Sequence, residues 1–247
     1  MPVLVVDIGN TFTKAAIFEQ DELICTEHFA VPDAASIYAF LAPYKVEKAI
    51  ISSVRKQNEE WEPLLKQKMP VTYFNAAMTT SIRNHYRTPQ TLGLDRLAAI
   101  VGAHHLYPGA DNLVIDGGSC ITYDWVDADG NYFGGSISPG LNMRYNALNY
   151  YTAALPVVKP DAGFDNTSGN DTETAIRSGV QNGIKFELLG FIESYARNKQ
   201  QLNIILTGGD SIFFDSLLKN SIFAPCIKNE PYLVLKGLNA ATQKHND

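Results

Sequence analysis

The same short pattern occurs twice in this sequence, and the repetition constrains the fold more than any other feature. An apolar run over residues 3–6 ends at Asp7-Ile8-Gly9-Asn10, and a second run over 112–115 ends at Asp116-Gly117-Gly118-Ser119. Another apolar strand follows each loop at once, which predicts a strand–tight loop–strand hairpin. Two matched hairpins about half a chain apart predict two halves of similar fold. We therefore expect an N-terminal domain over 1–111 and a C-terminal domain over 112–247.

Segments with strand and helix periodicity alternate through the rest of the 247 residues, which is typical of an α/β protein. The patterns predict strands over 14–19, 49–54, 71–74, 121–126 and 204–206 and near Tyr132, and helices over 34–41, 94–105 and 141–151, around Trp61 and through 176–192. Residues 75–91 are polar without a sustained period and predict a long loop, and such loops in compact domains are usually functional. Glycines make 134–140 a second predicted loop.

Composition and charge exclude several classes of protein. With 45% hydrophobic residues the chain can bury a core, and its net charge of -6 argues against nucleic acid as the main partner, because an acidic surface repels a phosphate backbone. The three cysteines, Cys25, Cys120 and Cys226, are too few and too scattered for a disulfide framework or a zinc site. The sequence shows neither a signal peptide nor an apolar stretch of about 20 residues. We expect a soluble cytoplasmic protein with no membrane partner.

The two Asp-x-Gly loops are candidate phosphate-binding sites. A glycine after a strand lets backbone N–H groups approach an anion without a Cβ atom in the way. The hydroxyl groups of Thr11, Thr13 and Ser119 add donors, and Lys14 adds a positive charge. These residue types suit phosphate oxygens.

Asp7 and Asp116 would repel a phosphate directly, so they suit a cation that bridges to it. One such loop alone is explained equally well as an ordinary hairpin turn. The matched pair, together with the glycines of 134–140 and of Thr207-Gly208-Gly209, favours nucleotide binding. Neither the Gly-x-Gly-x-x-Gly dinucleotide pattern nor the Walker pattern is present.

Asp95 and Arg96 lie where the long polar loop meets a predicted helix. An aspartate here complements the helix dipole, and an arginine here can be an ordinary surface ion pair. The same two residue types also suit an acceptor hydroxyl, since the carboxylate can take its proton while the guanidinium holds a nearby anionic group. Both interpretations stay open on spacing alone. Tyr86, in the same loop, either lines the acceptor pocket or only packs.

The segment Asn170-Asp171-Thr172-Glu173 predicts the start of a helix. In our interpretation Asn170 is the N-cap and Glu173 completes a capping box. Thr172, in the first turn, has a hydroxyl that can donate to a ligand.

Seven stretches, taken in order, resemble the type III pantothenate kinases. They are Asp7–Lys14, Gly93–Arg96, Asp116–Thr122 with Asp124, Gly134–Gly140, Ala153–Pro156, Asp171-Thr172 and Thr207–Gly209. The resemblance covers the chain from residue 3 to about 210. That family belongs to the acetate kinase/sugar kinase/Hsp70/actin superfamily. The resemblance therefore implies a duplicated ribonuclease H-like (actin-like ATPase) fold, with two similar domains and an ATP cleft between them.

The implied reaction is transfer of the γ-phosphoryl group of ATP to the 4′-hydroxyl of pantothenate, the first committed step of coenzyme A synthesis. Magnesium would accompany ATP, and the protein would be a homodimer. Asp95 would be the catalytic carboxylate, and Asp116 would hold a monovalent cation, K⁺ or NH₄⁺. The residues implied to bind ATP are Asp7, Ile8, Gly9, Asn10, Thr11, Phe12, Thr13, Lys14 and Ser119. Those implied to bind pantothenate are Tyr86, Gly93, Leu94, Asp95, Arg96 and Thr172.

Two positions depart from the family's common pattern. Ser119 stands where threonine is usual and keeps the hydroxyl, and Leu94 stands where alanine is usual and changes the volume of the pocket slightly. Two other functions stay open, because a fold does not determine its substrate. One is a non-catalytic regulatory or binding relative, and the other is a kinase of the same superfamily that acts on another small acid or polyol.

Overall fold

The computed structural model describes residues 2–54, 59–79, 81–197, 199 and 201–244. The chain forms two compact units. The first contains Met1–Gly109, Val126–Phe133 and Tyr232–Asp247, and the second contains Ala110–Trp125 and Gly134–Pro231. The predicted boundary near residue 111 lies beside the point where the chain first leaves the first unit. A division of the chain into domains at that residue stays a prediction.

Strands and helices alternate along both units. The strands are β1 (Pro2–Ile8), β2 (Thr13–Glu19), β3 (Glu22–Phe29), β4 (Lys48–Ser53), β5 (Val71–Tyr73), β6 (Arg83–Asn84), β7 (Asp111–Gly117), β8 (Cys120–Val126), β9 (Asn131–Pro139), β10 (Leu202–Thr207) and β11 (Ile227–Asn229). The helices are α1 (Ala34–Leu41), α2 (Glu62–Lys68), α3 (Leu94–Leu106), α4 (Leu141–Tyr150), α5 (Thr172–Arg177), α6 (Gly183–Ala196), α7 (Ser211–Leu218) and α8 (Leu233–Lys244). A π turn, Ser178–Asn182, joins α5 to α6. In the described part of the chain, no helix has both the length and the apolar character needed to cross a membrane.

The sheet of the first unit has the order β3-β2-β1-β4-β5. β1 pairs antiparallel with β2 and parallel with β4, and β5 continues the parallel part. One face of β1 carries Leu4, Val6 and Ile8, which pack into a core with Ile37 of α1 and Leu65 of α2. Because the opposite face of this strand is buried as well, β1 reads as a continuous apolar run, which is typical of a central strand.

The sheet of the second unit repeats this arrangement. Its order is β6-β9-β8-β7-β10-β11, where the two-residue strand β6 pairs only with the start of β9. Apart from β6, a hairpin and a third strand again lie on one side of the first strand, and two later strands lie on the other. β10 runs parallel to both β7 and β11. The helix formed by α5, the π turn and α6 buries Ile176, Val180, Ile184, Leu188 and Ile192 against this sheet's core. The predicted duplication of an α/β fold is confirmed.

The sequence patterns missed four elements and misassigned a further stretch. β3, α7, β11 and α8 were not predicted. The glycine-rich stretch 134–140 was predicted as a loop, but Gly134 to Pro139 continue β9. The loop prediction was wrong because Gly135 allows close strand pairing, since a Cβ atom there would lie 1.8 Å from the carbonyl oxygen of Tyr123. The predicted loop 75–91 contains β6 and two short 3₁₀ turns.

Two glycines allow α8 to pack so closely against α3 that the backbones of the two helices touch. A Cβ atom on Gly237 would lie 1.8 Å from the carbonyl oxygen of Ala98, and one on Gly102 would lie 2.6 Å from that of Leu233. α8 also contacts β1, β2 and β4. The two helices therefore cover this sheet as one tightly packed layer.

Replacing Gly237 with alanine should destabilise the protein by about 1–3 kcal/mol, because the new methyl group forces α8 away from α3. Urea unfolding measures the change. Gly190→Ala is the matched control, since Gly190 lies inside α6 with no atom within 4 Å of an added Cβ. That substitution should stabilise by about 0.5–1 kcal/mol through helix propensity. Equal responses at the two glycines would show that the close approach is not what requires Gly237.

Candidate functional site

The first Asp-x-Gly loop connects β1 to β2. Asp7 is only 8% exposed at the end of β1, and its register partners are Lys14 on β2 and Ser52 on β4. Paired residues of neighbouring strands point to the same face, so the three side chains form one polar row. At the tip the N–H group of Gly9 donates to the carbonyl of Phe12 at 3.0 Å. This turn places a tight, hydrogen-bonded loop beside the carboxylate.

The stretch predicted to bind ATP divides into two classes by exposure. Asn10, Thr11 and Phe12 form the exposed tip, whereas Ile8 and Thr13 are fully buried in the sheet. The tip thus offers accessible backbone and hydroxyl groups, and its flanks hold it in place.

Ser52 belongs beside this loop but was not singled out in the sequence. It is fully buried, and its hydroxyl has no hydrogen-bond partner among the described residues. The available signal was a serine pair, Ser52-Ser53, that ends an otherwise apolar strand. A sequence alone does not show that this strand lies next to β1.

The second Asp-x-Gly loop follows β7, and other backbone segments approach it closely. Asp116 is the register partner of Thr207 on β10. Gly208 has a φ of +83°, and a Cβ atom on it would lie 2.2 Å from Oδ1 of Asp116 and 2.3 Å from the carbonyl oxygen of Gly117. A carboxylate and a carbonyl oxygen thus lie side by side, and such hard oxygen donors suit K⁺ or another hard cation. The residues present fit the implied monovalent cation.

Two further residues support this loop. The N–H group of Gly140 donates to the carbonyl of Ser119 at 3.2 Å, and that of Asp210 donates to the carbonyl of Gly117 at 3.0 Å. Burial raises the pKa of the Asp210 carboxyl. Asp210 was not among the predicted site residues, although it directly follows the Thr207-Gly208-Gly209 stretch.

Several residues predicted to contact the acceptor come together in the first unit. Asp95 lies in the first turn of α3, where its Oδ1 atom accepts from the N–H group of Arg96 at 2.8 Å. A Cβ atom on Gly93 would lie 2.4 Å from that oxygen, so a side chain there would displace the Asp95 carboxylate from this position. Arg96 is only 7% exposed, and its guanidinium lies 5.8 Å from the centre of the Tyr86 ring. Leu94 is half-buried at the start of α3.

Thr172, in the second unit, lines a cavity of about 680 Å³. The cavity is also lined by Ala154, Pro156, Asp171, Glu173, Thr174 and Arg177. Thr172 is exposed there at the start of α5, so its hydroxyl is accessible to a ligand.

The predicted capping box next to Thr172 was wrong by one residue. Asp171, not Asn170, is the N-cap, because its Oδ1 accepts from the N–H group of Thr174 at 2.9 Å and Thr174 bonds back to it. That backbone hydrogen bond lowers the pKa of Asp171. Glu173 instead forms an ion pair with Arg177 at 3.3 Å.

A family model described as type III pantothenate kinase matches residues 3–197. A type III pantothenate kinase from Bacteroides fragilis (strain YCH46) is 43% identical over 244 residues, which cover 98% of each chain. This chain belongs to the type III pantothenate kinase family. The resemblance drawn from the seven stretches is confirmed.

Solved structures with much lower identity share the fold of this family member. A chain from Campylobacter jejuni, named as a conserved Baf family transcriptional activator, superposes with a TM-score of 0.60 at 21% identity and covers 98% of each chain. The activator of 2-hydroxyisocaproyl-CoA dehydratase from Clostridium difficile, solved with ADPNP, gives a TM-score of 0.58 at 10% identity. It covers 100% of this chain and 97% of its own. At these identities the matches establish the fold alone.

In this pantothenate kinase family member, Glu187 of α6 ties the elements around Ser119 together. Its carboxylate accepts from Tyr123 of β8 at 2.8 Å, from Ser138 of β9, and from Arg144 of α4 at 2.6 Å. Arg144 also donates to the carbonyl of Pro139 at 2.8 Å. Burial alone would raise the pKa of Glu187, but these hydrogen bonds outweigh it, so the pKa lies below its ordinary value of 4.5. The network holds the corner next to Gly140, which bonds to Ser119.

Replacing Glu187 with glutamine should destabilise the protein by about 1.5–3 kcal/mol at pH 7, because charged hydrogen bonds are lost. A carboxyl group whose pKa is lowered in the folded state stabilises the folded protein at pH values above its ordinary pKa. That stabilisation is lost as the pH falls through the lowered pKa. The difference between wild type and Glu187→Gln should therefore shrink below pH 4.5. Urea unfolding across pH measures it.

Glu173→Gln is the control for this prediction, since Glu173 is a largely exposed carboxylate paired with Arg177. Glu173→Gln should lower the free energy of unfolding by less than about 1 kcal/mol, as for other surface ion pairs. A Glu187→Gln difference that persists undiminished at acid pH would contradict the role assigned to the charge.

Proposed function

We propose that this protein is an ATP-dependent pantothenate kinase that forms 4′-phosphopantothenate, the first step of coenzyme A biosynthesis. The observation that carries the proposal is that Asp95 and the buried Arg96 follow one another in the first turn of α3. This pair stands in a chain 43% identical over 98% of its length to a type III pantothenate kinase. An aspartate and an arginine at neighbouring positions suit an acceptor that carries both a hydroxyl and a carboxylate.

Phosphoryl transfer proceeds in line and without a covalent enzyme intermediate. The oxygen of the 4′-hydroxyl bonds to the γ-phosphorus, the bond from that phosphorus to the bridging oxygen breaks, and ADP leaves. Asp95 accepts the proton of the hydroxyl. Arg96 binds the carboxylate of pantothenate, which lies at the other end of the molecule from the reacting hydroxyl, so this contact contributes to binding in the ground state and the transition state alike. Tyr86, Gly93, Leu94 and Thr172 complete the acceptor site.

ATP is bound by both Asp-x-Gly loops. The exposed tip Asn10-Thr11-Phe12 supplies backbone and hydroxyl donors, the remaining residues of 7–14 support it, and Lys14 adds positive charge. Ser119 contacts the nucleotide from the second loop.

Two kinds of cation complete the proposal. Magnesium usually binds through one or two carboxylates and the substrate's phosphates, and Asp7 is suited to hold it, directly or through water. The magnesium ion would neutralise negative charge on the γ-phosphoryl group during its transfer. Asp116 is suited to hold K⁺ or NH₄⁺. We also propose a homodimer, on family membership, and a cytoplasmic location, where ATP is available as donor.

Asp95→Asn should lower kcat by about 10²–10⁴-fold, because asparagine cannot accept the proton of the hydroxyl. The amide oxygen can still accept from the N–H group of Arg96, so the dissociation constant for ATP should stay within about twofold of wild type. A coupled ADP-release assay and calorimetry with ATP measure the two. Asp33→Asn, at the N-cap of α1, is the matched control and should turn over normally. Unchanged kcat in Asp95→Asn would remove this residue from the mechanism.

Potassium dependence tests Asp116. Wild-type turnover should fall at least several-fold when Na⁺ replaces K⁺ at constant ionic strength, because the two ions differ in size and in preferred coordination. In Asp116→Asn the response to the exchange should be lost, with low activity in both salts. A wild-type enzyme that is indifferent to the exchange would count against a cation at Asp116.

The acceptor itself is tested with a panel. ADP release is measured with pantothenate and with other small acids and polyols, each at saturating ATP. Turnover with pantothenate supports the proposal. Turnover with a different compound only would indicate another kinase of the superfamily, and no turnover with any acceptor would indicate a binding or regulatory relative.

A further inference from the structure

Tyr86 is held by a turn that lies more than forty residues later in the chain. Within the first unit, β6 runs parallel to the start of β9, with Arg83 paired to Asn131. The N–H group of Arg83 donates to Gly130, and that of His85 donates to Tyr132, each at 2.8 Å. The backbone on the N-terminal side of Tyr86 is therefore fixed by the segment Val126–Phe133.

The turn that forms this support is itself rigid. Asp127 accepts from the N–H group of Asn131 at 2.7 Å and from that of Asp129 at 3.0 Å. Gly130 has a φ of +81°, and a Cβ atom on it would lie 2.6 Å from the carbonyl oxygen of Ser81. The turn is thus closed by its own hydrogen bonds and by contact with the chain just before β6.

Aromatic side chains continue the contact from the backbone to the predicted acceptor residues. Tyr132 is fully buried, and its ring lies parallel to that of Tyr86, 8° apart, with ring centres separated by 6.4 Å. His85 stacks on Phe133 at 4.6 Å, and its Nε2 atom lies 3.1 Å from Oδ1 of Asn131. The neighbouring residues His85 and Tyr86 therefore both contact side chains of the segment Val126–Phe133.

The Tyr86 ring links this support to the predicted carboxylate-binding residue. The guanidinium of Arg96 lies 5.8 Å from the ring centre, which is within the range of a cation–π contact. Arg96 is only 7% exposed, so its head group has little freedom to find another position. Rings set in a parallel offset arrangement restrict each other's tilt, and the position of Tyr132 thereby limits the positions open to Tyr86 and Arg96.

We propose that Tyr132 is a positioning residue for the acceptor. Through Tyr86 it orients the Arg96 guanidinium, so that the turn 126–133 determines how tightly the carboxylate of the acceptor is bound. The inference rests on the proposed function and deepens it. The turn acts on binding of the acid, while the reacting atoms are left to Asp95.

Three variants of buried or stacked rings test this role. Tyr132→Leu should raise KM for pantothenate about tenfold, and kcat and KM for ATP should stay within about twofold, because only ground-state positioning of the carboxylate is weakened. Tyr132→Phe keeps the ring and should restore KM to within about twofold of wild type. Phe18→Leu is the matched control, since Phe18 is a fully buried ring of the same unit at the end of β2 remote from Asp7. Phe18→Leu should leave KM for pantothenate unchanged, although it should lower the thermal stability about as much as Tyr132→Leu does.

Pantothenol, in which a hydroxymethyl group replaces the carboxylate, separates positioning from general loosening of the pocket. Its dissociation constant, measured by competition, should be the same in wild type and Tyr132→Leu, because it offers Arg96 no carboxylate. A parallel loss of affinity for pantothenol and pantothenate would overturn the proposal, as would an unchanged KM for pantothenate.

His85→Ala keeps the inference testable if Tyr132→Leu does not fold, because His85 is exposed and its removal leaves the core intact. It should raise KM for pantothenate about twofold to threefold with kcat unchanged, and no change would contradict the proposal. Failure of wild-type enzyme to use pantothenate would refute the proposed function itself. Normal wild-type turnover with unaffected Tyr132→Leu and His85→Ala would refute this inference alone.

Discussion

Backbone contacts that leave no space for a side chain hold both units in shape. In the first unit Gly102 and Gly237 allow the backbones of α3 and α8 to touch. These two helices cover one face of the sheet whose central strand, β1, carries Asp7. In the second unit Gly208 brings the strand end after β10 against Asp116, and Gly140 brings the start of α4 against Ser119. The candidate site residues thus sit on loops whose positions are determined by glycine contacts between neighbouring elements.

The duplicated sheet gives the two loops equivalent places and different chemistry. Each loop follows a central strand of its sheet, so each sheet carries an aspartate near the end of that strand. The first has an exposed tip and a lysine, which suit phosphate. The second is enclosed by Gly208 and Gly140 and places a carboxylate beside a carbonyl oxygen, which suits a cation. The two copies of one strand arrangement thus carry different functional groups at the same position.

The sequence was most informative where local pattern and final structure agree. The runs before Asp7 and Asp116 are uninterrupted because these central strands are buried on both faces. β3 escaped prediction because its residues are half-exposed and no clear alternation marks them. Gly134 and Gly135 argued for a loop because glycine usually weakens strands, whereas here the missing side chain is what permits the pairing. In these cases tertiary contact overrode the local signal.

The same distinction applies to the candidate site. Asp95, Arg96 and Tyr86 could be named from the sequence since they lie in one short segment, and the structure brings them together. Ser52 and Tyr132 could not, because their importance depends on which strand lies beside which.

The position of α8 has a consequence for how the protein acquires its structure during synthesis. This helix belongs to the first unit although it is formed by Leu233–Lys244. A ribosome must therefore translate the whole second unit before α8 can cover its face of the sheet that begins at Pro2. Multi-unit chains generally fold their N-terminal part first as it emerges, but here that part has to wait with an apolar face exposed. Nascent chains halted before residue 233 are accordingly expected to engage chaperones.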